Sequence, residues 1–366
     1  MDPELRTRIA GLVCVGFRGT TVPPELLELV TRGVRSVILF SRNVTTPESV
    51  LALTSAIKRL TAEPLAIAVD QEGGAVQRLR SGFTELPAMR ALGASGDPLL
   101  AKRVGTVLGR ELRAVGIDWD FAPVLDVDTN PNNPVIGSRA MSSDPDVVAR
   151  LGTALASGLE DAGVAACGKH FPGHGDTELD SHLALPKLDH TLERLERVEL
   201  VPFRAAAESG MASLMTAHVV FSPIDSRYPA TLSEPVLNGI LRRHLGYRGL
   251  VVSDDLEMKA IIEHYGIDEA IVRGLLAGVD LFLVCHSPER MHAAIEAVIH
   301  AIETGRLPLA VVEAALRRQR EFLARWAAPP ADHVPPGVLR CDAHLQVAAE
   351  LSRFAELATA KDPTER

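Results

Sequence analysis

The chain has 366 residues, enough for one large domain or two ordinary ones. Hydrophobic residues make up 46% and charged residues 23%, the balance of a globular protein with a sizeable core. A formal net charge of −9, with no basic stripe to meet phosphates, argues against a nucleic-acid partner.

The opening stretch, MDPELRTRIAGLVCVGF, carries acids early and an apolar run too short for a signal peptide. No run approaches the roughly 18 apolar residues of a membrane span. Cys14, Cys167, Cys285 and Cys341 are far apart and form no CxxC pair, so neither a disulfide framework nor a zinc knuckle is expected. The reading is a cytoplasmic, monomeric chain with free thiols, no membrane contact and a small molecule as its partner.

Short apolar runs rich in β-branched residues recur along the chain. In order they are Gly11–Phe17, Val34–Phe40, Leu65–Asp70, Trp119–Val127, Gly163–Gly168, Ser213–Val220, Leu250–Asp254 and Leu281–Cys285. Each is continuously hydrophobic rather than alternating, as parallel strands covered on both faces are. Between them lie amphipathic stretches at Thr46–Arg59, Leu99–Val115, Pro145–Ala162, Leu192–Glu208, Ser233–Leu245, Ile267–Ala277, Pro288–Glu303 and Leu309–Arg325. Eight strands alternating with helices predict an α/β fold, a single closed (β/α)8 barrel of the TIM type. A doubly wound open sheet is the runner-up, but it usually carries a glycine-rich phosphate loop early, and none is present.

Polar residues crowd one end of these strands: Asp70, Asp126, Asp128, Lys169, His170, His218, Asp254, Asp255 and His286. Barrel enzymes place their chemistry at that end. After Trp326 the chain becomes Pro-rich, AAPPADHVPPG, and then Asp342–Leu357 reads as one helix. The division is a barrel over residues 1–327 and an extension over 328–366, expected to pack over the barrel base, with dimer formation as the alternative.

Three clusters can carry chemistry. Asp254 and Asp255 follow the strand LVVS, so one can face a pocket while the other caps the next helix. The stretch KHFPGHGDTELDSH, Lys169 to His182, holds three histidines, two aspartates and a lysine. Asp180 stands two residues before His182, close enough to orient the imidazole for general acid/base work. A nucleophilic carboxylate with a separate proton shuttle is what double-displacement glycoside hydrolysis requires. His170, His174, Asp176, Asp180 and His182 would equally supply ligands for zinc or a dinuclear centre, and residue types leave both readings open. A solvated loop with no chemistry is the bland third. In the last cluster, VDQEGGAVQRLR, Gly73 and Gly74 permit a tight turn from which Arg78 can reach back toward Asp70. Carboxylate and guanidinium together suit sugar hydroxyls.

VDQEGGAVQR, FTELPAM, NPVIGSRA, KHFPGHGDTELDSH and SDDLEM, in this order, resemble glycoside hydrolase family 3, specifically its single-domain bacterial β-N-acetylhexosaminidases of peptidoglycan recycling. The resemblance spans roughly residues 5–327. It implies a retaining enzyme that removes terminal, non-reducing β-N-acetylglucosamine from 1,6-anhydro-N-acetylmuramic acid muropeptides, without metal or cofactor. By the same resemblance Asp254 matches the nucleophile, His182 the acid/base and Asp180 its orienting partner. Asp70, Arg78, Arg139, Lys169 and His170 match the residues that hold the sugar. A metal-dependent barrel hydrolase, or a β-glucosidase-like exo-glycosidase of the same family, is the alternative. Ala75 stands where many relatives have a basic residue, so one part of the rim is expected to be less positive.

Overall fold

The computed structural model describes residues 1–178 and 185–360, with side chains as far as 356. Eight strands form its centre: β1 Val13–Val15, β2 Ser36–Leu39, β3 Ala66–Val69, β4 Trp119–Asp120, β5 Ala165–Phe171, β6 Ser213–Thr216, β7 Leu250–Ser253 and β8 Phe282–Val284. Each pairs in parallel with its sequence neighbour, and β8 pairs with β1 through Val13–Phe282 and Val15–Val284. A bridge between Val252 and Leu281 joins β7 to β8, so the sheet closes on itself. The fold is a (β/α)8 barrel.

Alternate residues of these strands meet different neighbours, although all are buried. Cys14, Ile38, Ala66, Ala68, Ala165 and Cys167 face inward, while Val13, Val37, Leu39, Ile67 and Val69 pack outward under the helices. The inward set is small on several strands, which leaves room for Trp119. Its ring meets Phe121 edge-on at 4.7 Å and Phe322 at 4.7 Å. Phe322, Leu323 and Trp326, from the helix Leu309–Trp326, plug the base of the barrel.

Helix starts follow from local chemistry. Four of the outer helices begin at a capping residue followed by Pro, at Thr46, Asp97, Asp144 and Ser287, and each cap accepts from a backbone N–H two or three residues on. Proline at that position gives up a donor that has no helical partner anyway.

The structure adds helices at Pro3–Ala10 and Pro24–Arg32 that the sequence reading lacks, and it departs from that reading elsewhere. β4 ends at Asp120 instead of Val127, because Pro123 has no N–H and the ladder past it survives on the β5 side alone, through Ala122, Pro123 and Leu125. β5 runs on through Lys169 and His170 to Phe171. The stretch 192–208 is two helices, Leu192–Arg197 and Leu200–Ser209, with Glu199 between them turned inward onto Arg194 at 2.9 Å. The base is covered by Leu309–Trp326, so the terminal helix Asp342–Ala360 packs on the flank instead, against Arg90–Ser95 and Pro98–Ala114.

Candidate active site

The C-terminal ends of the strands open into a cavity of about 610 Å³. Asp70 follows β3 directly and leads into a small antiparallel hairpin, Gln71–Gly73 against Val76–Gln77. Gly73 and Gly74 turn the hairpin with φ of 95° and 59°, a region that L side chains avoid. Asp70 and Glu72 are two residues apart on an extended backbone, so both carboxylates fall on one side.

Lys169, at the end of β5, bridges them. Its Nζ lies 2.8 Å from Asp70 Oδ1 and 2.5 Å from Glu72 Oε1. Arg139 grips the same Glu72 with its fork, Nη2 to Oε1 at 2.8 Å and Nε to Oε2 at 2.9 Å. Arg78 Nη2 lies 3.8 Å from Asp70 Oδ2 on the outer side. Burial by itself would raise the Glu72 carboxyl, but Lys169 and Arg139 hold it well below the ordinary carboxylate range. Burial likewise opposes the charge on Lys169, and Asp70 and Glu72 overcome it and raise the ammonium above its ordinary value. The result is a charged wall in which the carboxylates of Asp70 and Glu72 and the cations of Lys169 and Arg139 hold one another in fixed orientations.

His170 is held from behind by Asp126. The ring Nδ1 lies 2.7 Å from Asp126 Oδ2, and the backbone N–H groups of His170 and His174 donate to Oδ1 at 3.2 and 2.7 Å. A carboxylate accepting at Nδ1 fixes a ring proton there and leaves Nε2 as the other face of His170. His174 lies edge-on to His170, with ring centroids 5.8 Å apart. Burial first, and then His170, push the His174 imidazole down to about 4, so it is neutral at physiological pH.

Across the barrel, β7 ends in Ser253 and delivers Asp254 to the same cavity. Its Oδ1 accepts from the N–H of Asp255 at 2.8 Å. Asp255 lines the same cavity, where it accepts from Glu257 N at 3.0 Å and pairs with His286 Nε2 at 3.2 Å. That hydrogen bond raises the His286 imidazole above its ordinary value. Ala75 lines the rim of the cavity.

Other rim residues serve the scaffold. His218 is buried between Thr231 Oγ1 at 2.8 Å and the carbonyl of Asp255 at 3.1 Å. Asp128 pairs with Arg90, and Asp176 with Thr129 and His190. Among the described residues no three His, Cys, Asp or Glu side chains converge to hold a metal ion. Asp180 and His182 lie outside the described residues. Glu72 and the backing role of Asp126 escape a reading of the sequence by strand ends. The available signal for Glu72 was its place two residues after Asp70 at the start of a glycine turn.

Residues 4–321 match the model of the glycosyl hydrolase family 3 N-terminal domain. The chain belongs to glycosyl hydrolase family 3. This family 3 chain is a glycoside hydrolase, and the barrel cavity just described is where that activity has to be sought. It is 49% identical over 262 residues to a β-hexosaminidase of Thiobacillus denitrificans, covering 70% of this chain and 72% of the relative. It superposes on a family 3 β-N-acetylglucosaminidase from a Paenibacillus species with a TM-score of 0.92 at 43% identity, covering 96% of this chain and 68% of that one. NagZ from Neisseria gonorrhoeae, solved in complex with N-trifluoroacetyl-D-glucosamine, superposes with a TM-score of 0.80 at 37% identity, covering 94% and 98%. The family match stops at residue 321, so the terminal helix Asp342–Ala360 lies beyond it.

Proposed function

We propose that this family 3 enzyme is a retaining exo-β-N-acetylglucosaminidase, and that its substrates are cytoplasmic muropeptides in which N-acetylglucosamine is joined to 1,6-anhydro-N-acetylmuramic acid. The observation that carries this reading is the placement of Asp254 at the end of β7, in one cavity with Asp70, Arg78, Lys169 and His170. A walled cavity with charged groups on one side suits a terminal sugar held by its hydroxyls, with the anomeric carbon presented to Asp254. The names of the relatives support a hexosaminide, and the buried free thiols Cys14, Cys167 and Cys285 accord with a reducing compartment.

Asp254 attacks the anomeric carbon, the bond to the leaving oxygen breaks, and protonated His182 gives that oxygen its proton. Neutral His182 then takes a proton from water as the water displaces Asp254 from the glycosyl-enzyme, and Asp180 stabilises the imidazolium. Assignment of proton transfer to His182 draws support from how the other acids are used. Among the described residues that line the cavity, Glu72 pairs with Lys169 and Arg139, Asp70 with Lys169, Asp255 with His286, and Glu257 with Arg290.

Hydrolysis of an aryl β-N-acetylglucosaminide by wild type and Asp254→Asn, with a chelator control, tests the reading. Loss of ~10³-fold or more in kcat with unchanged folding is expected, and the first-formed sugar should be the β-anomer. Activity that survives the substitution, an α-anomer, or activity lost to the chelator would each overturn the mechanism. Release of N-acetylglucosamine from the disaccharide N-acetylglucosaminyl-1,6-anhydro-N-acetylmuramic acid tests the substrate, and failure to cleave it would remove that part alone.

A further inference from the structure

A buried chain of hydrogen bonds runs from the terminal extension to the hairpin that carries Asp70, Glu72 and Arg78. It begins at Glu111, on the helix Pro98–Ala114, which is only 4% exposed. Glu111 Oε1 accepts from Arg340 N at 2.8 Å and from His344 Nδ1 at 2.9 Å, both in the extension. The same carboxylate accepts from Thr84 twice, Oγ1 to Oε1 at 2.7 Å and N to Oε2 at 2.8 Å.

Thr84 passes the constraint on. Its carbonyl accepts from Gln77 Nε2 at 3.0 Å, and Gln77 Oε1 accepts from Leu86 N at 3.1 Å. Leu79 is fixed from two sides: its carbonyl accepts from both Gln77 and Gln71, and its N–H donates to Gln71 Oε1 at 2.9 Å. Gln71 and Gln77 are themselves partners across the hairpin. Gln71 lies between Asp70 and Glu72, and Gln77 immediately precedes Arg78. Gln71, Gln77, Thr84, Glu111 and His344 are all buried. In that setting an unmade hydrogen bond is costly, so a donor lost at one end is felt along the chain.

We infer that Glu111 and His344 are positioning residues for substrate binding: the extension, acting through Thr84 and Gln77, sets the hairpin that presents Asp70 and Arg78 to the sugar. This rests on the proposal that Asp70 and Arg78 contact the substrate. It goes beyond it by giving the segment outside the family match a part in the same reaction. A purely structural extension would change stability without selecting the hairpin.

The test uses the full chain and an aryl β-N-acetylglucosaminide, with kcat, KM and Tm measured for each variant. His344→Ala removes the donor to Glu111, and Thr84→Val removes only the hydroxyl and serves if the first variant does not fold. KM should rise about fivefold or more while kcat stays within about twofold, and His344→Asn, which can still donate, should recover most of the loss. Arg103→Ala breaks the exposed Arg103–Glu350 pair that holds the same terminal helix at 2.7 Å, and it should leave KM unchanged. A lower Tm with unaltered KM in His344→Ala and Thr84→Val, or a KM rise in Arg103→Ala equal to theirs, would overturn the inference. Asp70→Asn is the separate check: an unchanged KM there would show that the substrate contact itself was misassigned.

Discussion

Glu72 is the residue on which the charged wall proposed to hold the sugar depends, and Glu72→Gln tests how strongly. The side chain is 3% exposed and receives three close donors, two from Arg139 and one from Lys169. Glutamine keeps the shape but replaces one acceptor with an NH2 donor, which then points at a cation. Lys169 retains Asp70 at 2.8 Å, whereas Arg139 has no other carboxylate within pairing distance among the described residues. Removing one partner of a buried ion pair costs about 3–5 kcal/mol, because the remaining charge is left desolvated and uncompensated. At roughly 2.1 cal/mol/K per residue, 366 residues unfold with an entropy of about 0.8 kcal/mol/K, so ~4 kcal/mol lowers Tm by about 5 °C. Calorimetry and steady-state kinetics on an aryl β-N-acetylglucosaminide check the two consequences, a lower Tm and a raised KM. The double variant Glu72→Gln/Arg139→Gln removes the stranded charge as well, so its cost should be smaller than the sum of the single costs. A Tm within about one degree of wild type and an unchanged KM in Glu72→Gln would refute this account of the wall.

Two further predictions concern the loop after β5. The folded chain holds His174 at about 4 against an ordinary 6.5, so between those values the unfolded chain binds a proton that the folded one does not. Stability should therefore be fully present above pH 6.5 and fall as pH drops toward 4, by up to ~3 kcal/mol from this group, and His174→Asn should flatten that limb of a denaturant-derived stability curve; equal slopes would refute the assignment. A Cβ on Gly175 would lie 1.8 Å from the carbonyl oxygen of Val127, so Gly175→Ala must push the loop off the β4 side and should cost about 3 kcal/mol or more in denaturant unfolding. A cost below about 1 kcal/mol would mean that the loop does not rest on that backbone.

Much of this architecture is legible along the chain. All eight strands appear as apolar runs because each is covered on one side by helices and on the other by the packed barrel interior. The start of the helix Pro47–Lys58 was readable from the Thr46 cap and the proline after it, whereas the Asp2–Pro3 start of the helix Pro3–Ala10 was not read. The failures have equally local causes. Pro123 interrupts a run whose hydrophobicity continues to Val127, and Glu199 splits a stretch that is amphipathic throughout. Composition reports burial, and burial does not distinguish a laddered strand from an extended segment with no partner on one side.

The rim shows where such reading ends. Asp70, Asp126, Asp128, His170, His218 and Asp254 look alike in sequence, each a polar residue where an apolar run stops. Their differences come from partners that the barrel brings in from far along the chain: Lys169 to Asp70 across 99 positions, Arg139 to Glu72 across 67, and His170 to Asp126 across 44. Sequence by itself determined the barrel, the end of it where the polar side chains gather, and the identity of Asp254 as a strand-end acid. Only the tertiary structure decided that Glu72 joins Asp70, Lys169 and Arg139 in one charged wall, that Asp128 pairs with Arg90 and His218 with Thr231, and that the extension reaches the hairpin through Glu111. The physical reason is that hydrophobic periodicity is a property of consecutive residues, whereas a buried charge is defined by whichever group the fold sets beside it.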